Sequence, residues 1–218
     1  MGILQNGLTS RTTGRVANLV TYELNGQNVL RSIGINNKPK TIPQLNNQLR
    51  MKVINNFFRS MDGFLIQSFG PTARGTKYNY QNLSIRNNMP NALKGYYPDV
   101  EIDYSKIIFS LGALPQPLEA KAEWTDEGVK FTWDTSVGSS WPECRDQVMM
   151  LIYFPDKAKN KRDVIYETAG AKRSAGTDIL PVPSDYHDRP IEAYMTFVAE
   201  DRSDLCNSLY IGRLEPRI

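Results

Sequence analysis

Apolar and polar side chains alternate on either side of the Asn25-Gly26 pair near the start of the chain. The apolar positions are Val16, Leu19 or Val20, Tyr22, Leu24, Val29, Leu30 and Ile33. An Asn-Gly pair tolerates the positive φ angles that a tight two-residue hairpin turn requires. The pattern therefore predicts a β-hairpin within residues 14–34. Because an isolated hairpin is only marginally stable in water, we expect it to lie on another element.

A helical period replaces this alternation beyond the hairpin. Apolar side chains recur every three or four residues, at Ile42, Leu45, Leu49, Val53, Phe57, Met61, Leu65 and Phe69. The spacing predicts one long helix over residues 42–69, bent near Asp62-Gly63 and ended by Gly70-Pro71. A weaker pattern predicts a second helix over residues 76–88.

Short alternating segments separated by turns make up the second half of the chain. Residues 101–117, EIDYSKIIFSLGALPQP, read as a strand that passes into a Gly- and Pro-containing linker, so we place a domain boundary near Leu114. Seven predicted strands follow, in LEAKAEW, GVKFTW, QVMMLIYF, DVIYET, TDILPVP, IEAYMTFVAE and CNSLYIGRL. Their spacing is typical of an antiparallel β-sandwich. The predicted layout is a basic hairpin-helix domain over residues 1–113 and a β-sandwich over residues 114–218.

Parts of this second half resemble fibronectin type III and related immunoglobulin-like modules. EWTDEGVKFTW is similar to their A and B strands, where a tryptophan such as Trp133 packs between the sheets. EAYMTFVAEDRSDLCNSLYIG is similar to their F–G hairpin, with Tyr194 at the tyrosine position. The predicted fold is therefore an α+β N-terminal part, a β-hairpin plus two helices, followed by an all-β fibronectin type III-like seven-stranded sandwich. Such a fold implies no single function.

A second resemblance spans the whole chain. GRVANLVTYELNGQNVLRS, EIDYSKIIFSLGALP, AGAKRSAGT and NSLYIG are similar in order and spacing to an uncharacterised Bacteroidota family of comparable length, a domain of unknown function. The N-terminal signature of that family reads roughly G-K/R-V-G-N-V-V. This chain has Ala17 where the family usually has glycine. The resemblance implies a bacterial source and the same layout, and it supplies neither an activity nor a site.

The net charge of +3 conceals an asymmetry between the two halves. Residues 1–98 carry 12 Lys and Arg against 2 acidic residues, a net charge of +10. Residues 99–218 carry 14 Lys and Arg against 21 acidic residues, a net charge of −7. Asparagine follows the same division, with 15 residues before position 98 and two after it. This polarity predicts an anionic partner for the first half, or stacking of one copy's basic end on another's acidic end.

The candidate partner-binding residues are basic side chains of the first half, Arg11, Arg15, Arg31, Lys38, Lys40, Arg50 and Lys52. If the hairpin lies across the long helix, several of them share one surface, where interleaved Asn and Gln side chains could bond phosphates or bases. The seven are dispersed along the chain, however, and belong to no recognised nucleic-acid motif. Three interpretations stay open: a solvated basic face, a face that meets an acidic protein surface, and a nucleic-acid surface.

No catalytic constellation is evident. The sole histidine, His187, stands in PSDYHDRP, a composition typical of an exposed turn. The alternating acids Asp99, Glu101 and Asp103 would share one face of a strand, where they either hold a divalent cation or are simply solvated. A carboxylate-based hydrolase is the enzymatic alternative. The expectation is a protein that is not an enzyme and uses no cofactor or metal.

The sequence predicts neither a membrane-spanning segment nor a Sec-type export signal. No apolar run approaches the roughly 18 residues that span a bilayer, and the start MGILQNGLTSR lacks the features of a Sec signal. Cys144 and Cys206 are far apart and form no disulfide or zinc pattern. We expect a protein that is cytoplasmic or part of a particle or assembly.

The leading hypothesis is a non-enzymatic binding or assembly protein that docks through its basic N-terminal face. A repeated structural subunit of a phage particle, filament or surface apparatus fits this description, with a protein partner or self-association. The alternative is a nucleic-acid-binding protein that uses the basic N-terminal half.

Overall fold

A computed structural model describes residues 3–4, 12–24, 27–34, 37–136, 143–156 and 162–217. The chain divides into two compact units, an N-terminal unit, Met1–Thr41, and a C-terminal unit, Ile42–Ile218. The boundary that the sequence predicts near Leu114 falls inside the C-terminal unit.

The N-terminal unit is an antiparallel sheet in which each strand pairs with the next along the chain. Its strands are β1 (Ile3–Leu4), β2 (Thr12–Val16), β3 (Leu19–Leu24) and β4 (Gln27–Ser32). The predicted hairpin is present as β3 and β4, which pair from Leu19↔Ser32 to Leu24↔Gln27. The Asn25-Gly26 turn itself lies outside the described residues. A further hairpin joins β2 to β3 through the two-residue turn Ala17-Asn18.

None of the described side chains of the N-terminal unit is buried. Val16, Leu24 and Leu30 are the most exposed of its described apolar side chains. Burial of apolar surface is the main favourable term in folding. The described part of this sheet therefore depends mostly on its backbone hydrogen bonds.

Three helices open the C-terminal unit, where the sequence predicts two: α1 (Ile42–Arg59), α2 (Asp62–Ala73) and α3 (Tyr80–Asn88). The prediction of one helix over residues 42–69 is wrong. Met61, with φ of −126° and ψ of 25°, leaves the helical region and separates α1 from α2. The helical segment also continues beyond the predicted end at Gly70-Pro71, since Pro71 lies inside α2.

The third helix begins later than the predicted residue 76. Asn79 precedes it in an extended conformation, and its side-chain oxygen accepts a hydrogen bond of 2.7 Å from the Asn82 backbone N–H. This is an N-cap, which satisfies a donor that the first helical turn leaves unpaired. Of the described helices, none is both long enough and apolar enough to cross a membrane.

The described strands of the C-terminal unit form three antiparallel sheets. They are β5 (Leu93–Tyr96), β6 (Asp99–Ile102), β7 (Lys121–Trp124), β8 (Gly128–Thr132), β9 (Gln147–Tyr153), β10 (Val164–Glu167), β11 (Thr177–Pro181), β12 (Ile191–Val198) and β13 (Leu209–Leu214). β5 and β6 pair as a hairpin, and the larger sheets have the orders β10-β9-β12-β13 and β11-β8-β7. Each of the seven segments predicted as strands contains one of β7 to β13.

The sheet β10-β9-β12-β13 is covered on both of its faces. Along β9, Met149, Leu151 and Tyr153 pack in a core that includes the helices. Val148 and Ile152 pack in a second core, which includes the sheet β11-β8-β7. Because successive side chains of a strand point to opposite faces, helices cover one face and the smaller sheet covers the other.

The segment predicted as a strand that passes into a linker, residues 101–117, packs inside the C-terminal unit over much of its length. Ile107 and Phe109 are buried, and the Ser110 hydroxyl donates to that of Thr196 over 2.8 Å. The Phe109 ring lies with its centroid between 4.8 and 6.1 Å from four aromatic rings, those of Phe57, Phe58, Phe64 and Tyr194. Helices and sheet therefore share one aromatic core across the position of the predicted boundary.

Candidate functional site

Two of the predicted partner-binding residues share one face of the N-terminal sheet. Arg15 of β2 and Arg31 of β4 both stand opposite Val20 of β3, one on each side. Since neighbouring strands lie about 5 Å apart, the two arginines are about 10 Å apart. Arg15 Nε donates to the Ala17 carbonyl over 3.1 Å, and the Arg31 guanidinium lies 5.7 Å from the centre of the Tyr22 ring.

The other predicted residues are distributed over both units. Arg11 lies outside the described residues. Lys38 and Lys40 are exposed in the segment before α1. Arg50 and Lys52 both belong to α1, where Arg50 is half-buried and Lys52 is exposed. Residues two apart on a helix do not face the same neighbour, so these two cations do not form one cluster.

A groove of about 780 Å³ runs between α1 and α3 and contains Arg50. We call it the helical groove, and its lining is Arg50, Met51, Asn55, Tyr78, Asn82, Ile85, Arg86, Met89 and Pro90. Met51 and Asn55 share a face of α1 because they are four residues apart, as do Asn82 and Arg86 on α3. The groove thus combines arginines and amides with an apolar floor.

The two arginines of the helical groove are held by contacts other than ion pairs. Arg50 donates to the carbonyls of Met89 and Leu93 over 2.8 and 3.4 Å, which ties α1 to the end of α3. The Arg86 guanidinium lies 5.1 Å from the centre of the Tyr78 ring. Among the described residues, neither arginine meets a carboxylate. Both positive charges therefore remain available to a partner.

The surroundings of the helical groove reinforce its positive charge. Residues 42–98 contain seven Lys and Arg and a single acid, Asp62. Asp62 accepts hydrogen bonds from the Tyr80 hydroxyl and the Gln81 amide, at 3.1 and 2.9 Å. Burial, followed by the bond to Asp62, raises the pKa of Tyr80 above its ordinary value. The acid is thus engaged by neutral groups and neutralises neither arginine of the helical groove.

Exposed apolar side chains distinguish this groove from a simply solvated basic face. Met51 is 39% exposed although it lies between two packed helices. Methionine is flexible and polarisable, and it is common at binding surfaces that accept varied partners. The floor of the groove could therefore bury an apolar side chain of a partner.

A second concave region, which we call the tyrosine cleft, has a volume of about 630 Å³. It lies where α1, the β5–β6 hairpin and the sheet β10-β9-β12-β13 meet. Its polar lining is Asn56, Ser60, Lys94, Glu101, Asp103, Tyr104, Ser105, Tyr153, Asp163, Glu192, Tyr210 and Arg213. The cleft is therefore rich in carboxylates and phenol groups.

Glu192 is the most buried carboxylate of the tyrosine cleft, with 3% of its side chain exposed. It accepts a hydrogen bond of 2.7 Å from the Tyr210 hydroxyl, and Arg213 lies 3.7 Å from its other oxygen. Burying a carboxylate is costly unless it is paired and hydrogen-bonded. Tyr210 and Arg213, both on β13, supply these partners.

The tyrosines around Glu192 retain their protons far into the alkaline range. Burial raises the pKa of Tyr194 well above 10.0, and the negative charge of Glu192 adds to the effect. Burial also raises the pKa of Tyr153, where nearby Tyr104 and Asp163 contribute, and that of Tyr210, which donates to Glu192. These hydroxyls are therefore hydrogen-bond donors at neutral pH.

The alternating acids considered as a cation site do not assemble into one. Glu101 pairs with Lys94 at 3.5 Å, and Asp103 pairs with Lys106 at 3.3 Å. Within the described residues, no three His, Cys, Asp or Glu side chains gather as a metal site would require. Solvation and ion pairing thus account for these acids.

His187 and the two cysteines have structural surroundings. His187 follows a short 3₁₀ turn, but it is half-buried rather than exposed as predicted, and its Nε2 lies 3.1 Å from the Val182 carbonyl. Both cysteines are free, and Cys206 is buried. Its sulfur accepts a hydrogen bond of 3.0 Å from the Phe197 N–H, and burial raises its pKa.

Sequence reasoning missed most residues of both concave regions. Arg86 and Tyr78 lie in the predicted second helix, but only the packing of α3 on α1 brings them beside Arg50. Glu192 did have a signal, since it is the only charged residue in the apolar strand IEAYMTFV. A charged side chain in an apolar, buried strand needs an ion-pair or hydrogen-bond partner, because burying an unpaired charge is costly.

Comparison with known proteins identifies one family. The family model of DUF6266, described as a family of unknown function, matches residues 11–212. Comparison with curated proteins finds no match, and comparison with solved structures finds none.

Proposed function

The chain belongs to DUF6266, a family of unknown function, and we propose that it is a non-enzymatic binding protein that docks an acidic partner protein through the helical groove. The bound segment would be amphipathic. Its apolar side chains would lie on Met51 and Met89, and its carboxylates would face Arg50 and Arg86. This interpretation develops the basic docking face that the sequence predicts.

One observation carries the proposal: an apolar floor lies between arginines that have no carboxylate partner among the described residues. An amphipathic helix commonly binds by laying its apolar face into a groove between helices. Arginine is well suited to the rim of such a site, because it pairs with carboxylates through two parallel hydrogen bonds. Charge complementarity therefore selects an acidic segment.

The same geometry favours a protein over a nucleic acid. Phosphate binding needs cations but gains nothing from an apolar floor. Single-stranded bases stack on open aromatic faces, whereas Lys77 and Arg86 lie 5.3 and 5.1 Å from the ring of Tyr78 and occupy it. A nucleic-acid role in the basic half stays the alternative that the experiment must separate.

The two larger sheets, formed by β7 to β13, would serve as a rigid support for this docking surface. We propose that they form a fibronectin type III-like sandwich. The orders β11-β8-β7 and β10-β9-β12-β13 support this, since a three-stranded and a four-stranded antiparallel sheet sharing one core are typical of such sandwiches. Trp133 is buried in that core, as the resemblance implies. A protein of this build could act as a repeated structural subunit.

A display library tests the docking proposal. Helical peptides of about 20 residues would keep one apolar stripe and vary between Glu and Lys at the flanking positions. Selection on the full chain should enrich Glu-flanked peptides. Arg86→Glu should weaken the enriched peptides at least about tenfold, because it places like charges together in a partly desolvated groove. Lys52→Glu, the same charge change outside the groove, should leave their affinity nearly unchanged.

A further variant separates protein binding from nucleic-acid binding. Met51→Gln should weaken the enriched peptides about fivefold, through lost apolar burial. If Glu- and Lys-flanked peptides are enriched equally, or Arg86→Glu binds as the parent does, the proposal fails. If an oligonucleotide binds instead, with Lys52→Glu and Arg86→Glu equally weakened and Met51→Gln unaffected, the nucleic-acid alternative replaces it.

A further inference from the structure

The tyrosine cleft has one carboxylate without a counter-ion among the described residues. The Asp163 side chain lines the cleft and makes no hydrogen bond or ion pair with a described residue. It is partly buried, in the segment that leads into β10. Its charge contributes to the raised pKa of Tyr153, which places it near that hydroxyl.

The other charges of the cleft are balanced in pairs. Glu101 faces Lys94, Asp103 faces Lys106, and Glu192 faces Arg213, at 3.5, 3.3 and 3.7 Å. Asp163 is the fourth carboxylate and meets no fourth cation of the described chain. The lining holds four carboxylates and two cations, Lys94 and Arg213, and Lys106 pairs with Asp103 from outside the lining. Asp163 is therefore the one carboxylate of the four that has no cation among the described residues.

The walls of the cleft supply what an organic cation needs besides a counter-ion. Aromatic rings attract an ammonium group because the quadrupole of the ring makes its face partially negative, and tyrosine is among the side chains that bind cations in this way. The rings of Tyr104 and Tyr153 are 5.5 Å apart, and Phe57 packs 4.8 Å from Tyr153. Val53, Val100 and Ile102 add apolar surface. The volume of about 630 Å³ falls in the range of small-molecule sites.

We propose that the tyrosine cleft binds a small organic ammonium ion with an aliphatic body, and that the Asp163 carboxylate is its counter-ion. The body of the ligand lies against the apolar wall, and its charged end lies between Asp163 and the tyrosines. This site is separate from the helical groove, so it does not depend on the proposed function.

A metal ion is a poorer fit for the same cleft. Hard cations need several oxygen ligands around one point. Three of the four carboxylates are already engaged by lysine or arginine, and the described residues gather no metal site. A singly charged organic ion needs only one carboxylate, and Asp163 is the carboxylate of the cleft that has no cation partner within the described ranges.

Matched probes test this site. Butylammonium and choline carry the charge on a small aliphatic body, pentanol is a neutral analogue, and butyrate reverses the charge. Binding to the full chain is measured by thermal shift and by NMR shifts of the tyrosine rings. Asp163→Asn keeps the shape and removes the charge, and it should weaken ammonium binding at least about tenfold. Glu123→Gln is the control, since Glu123 is an exposed carboxylate on β7 outside the cleft.

The ammonium probes should move the signals of Tyr104, Tyr153 and Tyr210, whereas pentanol and butyrate should not. The Glu123→Gln chain should bind as the parent does. The proposal is overturned if no ammonium probe binds at millimolar concentration, if pentanol binds equally well, or if Asp163→Asn leaves the affinity unchanged. Variants of the helical groove should bind these probes normally, which distinguishes the two proposals.

Discussion

Two four-stranded antiparallel sheets in this chain differ in what covers them. Every residue of β12 is buried in the sheet of the C-terminal unit, between the helices on one face and a second sheet on the other. In the N-terminal sheet, by contrast, none of the described side chains is buried. Similar hydrogen-bond ladders can thus belong to a stable core or to an exposed surface, and the covering layers decide which.

This difference also indicates where each unit can contribute to function. The C-terminal unit holds both concave regions between packed elements, so their side chains are fixed by their surroundings. The described N-terminal residues instead offer a face with Arg15 and Arg31, whose described side-chain contacts are with the Ala17 carbonyl and the Tyr22 ring of the same sheet. Binding on that face would have to order them, which costs conformational entropy.

The largest expected effect concerns the aromatic core. Phe109→Ala should lower the free energy of unfolding by about 3–5 kcal/mol, because it removes a fully buried ring that touches α1, α2 and β12. Urea unfolding is followed by tryptophan fluorescence, which reports the β-rich part, and by helical circular dichroism. The urea midpoints from both signals should fall by the same amount.

The control for this change is Leu118→Ala, at an exposed apolar side chain outside the two cores. It should alter stability by less than about 0.5 kcal/mol. Separate transitions for fluorescence and dichroism would show that helices and sheets fold independently, and would contradict the shared core.

Hydrogen exchange compares the two sheets directly. Backbone amides of β9 and β12 should exchange at least about 100-fold more slowly than those of β2, β3 and β4, because only the former lie in a buried core. The measurement uses the full chain with detection by mass spectrometry or NMR. Equal protection of both sheets from exchange at low protein concentration would contradict the claim that only the C-terminal sheet lies in a stable core.

Alkaline pH acts selectively on the buried tyrosines. The pKa of Tyr194 is raised by burial, so the folded chain keeps this proton after the unfolded chain has lost it near pH 10.0. The contribution of Tyr194 to stability should therefore be constant below that pH and fall above it. One such tyrosine should lower the free energy of unfolding by about 1.4 kcal/mol for each pH unit in this range. Urea midpoints at increasing pH measure it, and Tyr194→Phe should reduce the slope.

Local patterns in the sequence predict elements well and their assembly poorly. The hairpin of β3 and β4 and the segments of β7 to β13 are correct because strand alternation is a short-range signal. The break at Met61 escapes the same reasoning, since an apolar side chain there suits both a continuous helical stripe and a buried connection. Phe109 likewise reads as part of a strand, and only its contacts reveal that it joins helices to sheet.

The candidate sites show the same limit. Charge composition alone points to Arg50, but its neighbour Arg86 comes from another helix, and no sequence spacing links them. Asp163 has no sequence signal, because its importance depends on which other carboxylates are already paired. Glu192 is the exception, being a charged residue in an apolar strand whose need for partners is visible in the sequence.

The smallest expected effect lies in the turn between β2 and β3. Ala17 has a φ of 52°, and only the first central residue of this two-residue turn has a positive φ. Glycine is favoured at that position. Alanine in this conformation destabilises the folded state by about 1 kcal/mol, because its Cβ crowds the backbone. Ala17→Gly should therefore stabilise the N-terminal sheet by about 0.5–1 kcal/mol and slow amide exchange in β2 and β3 two- to fivefold. Asn18→Gly should not slow it, because residue 18 needs no positive φ. Exchange that is unchanged or faster in Ala17→Gly would show that this turn does not limit the opening of the sheet.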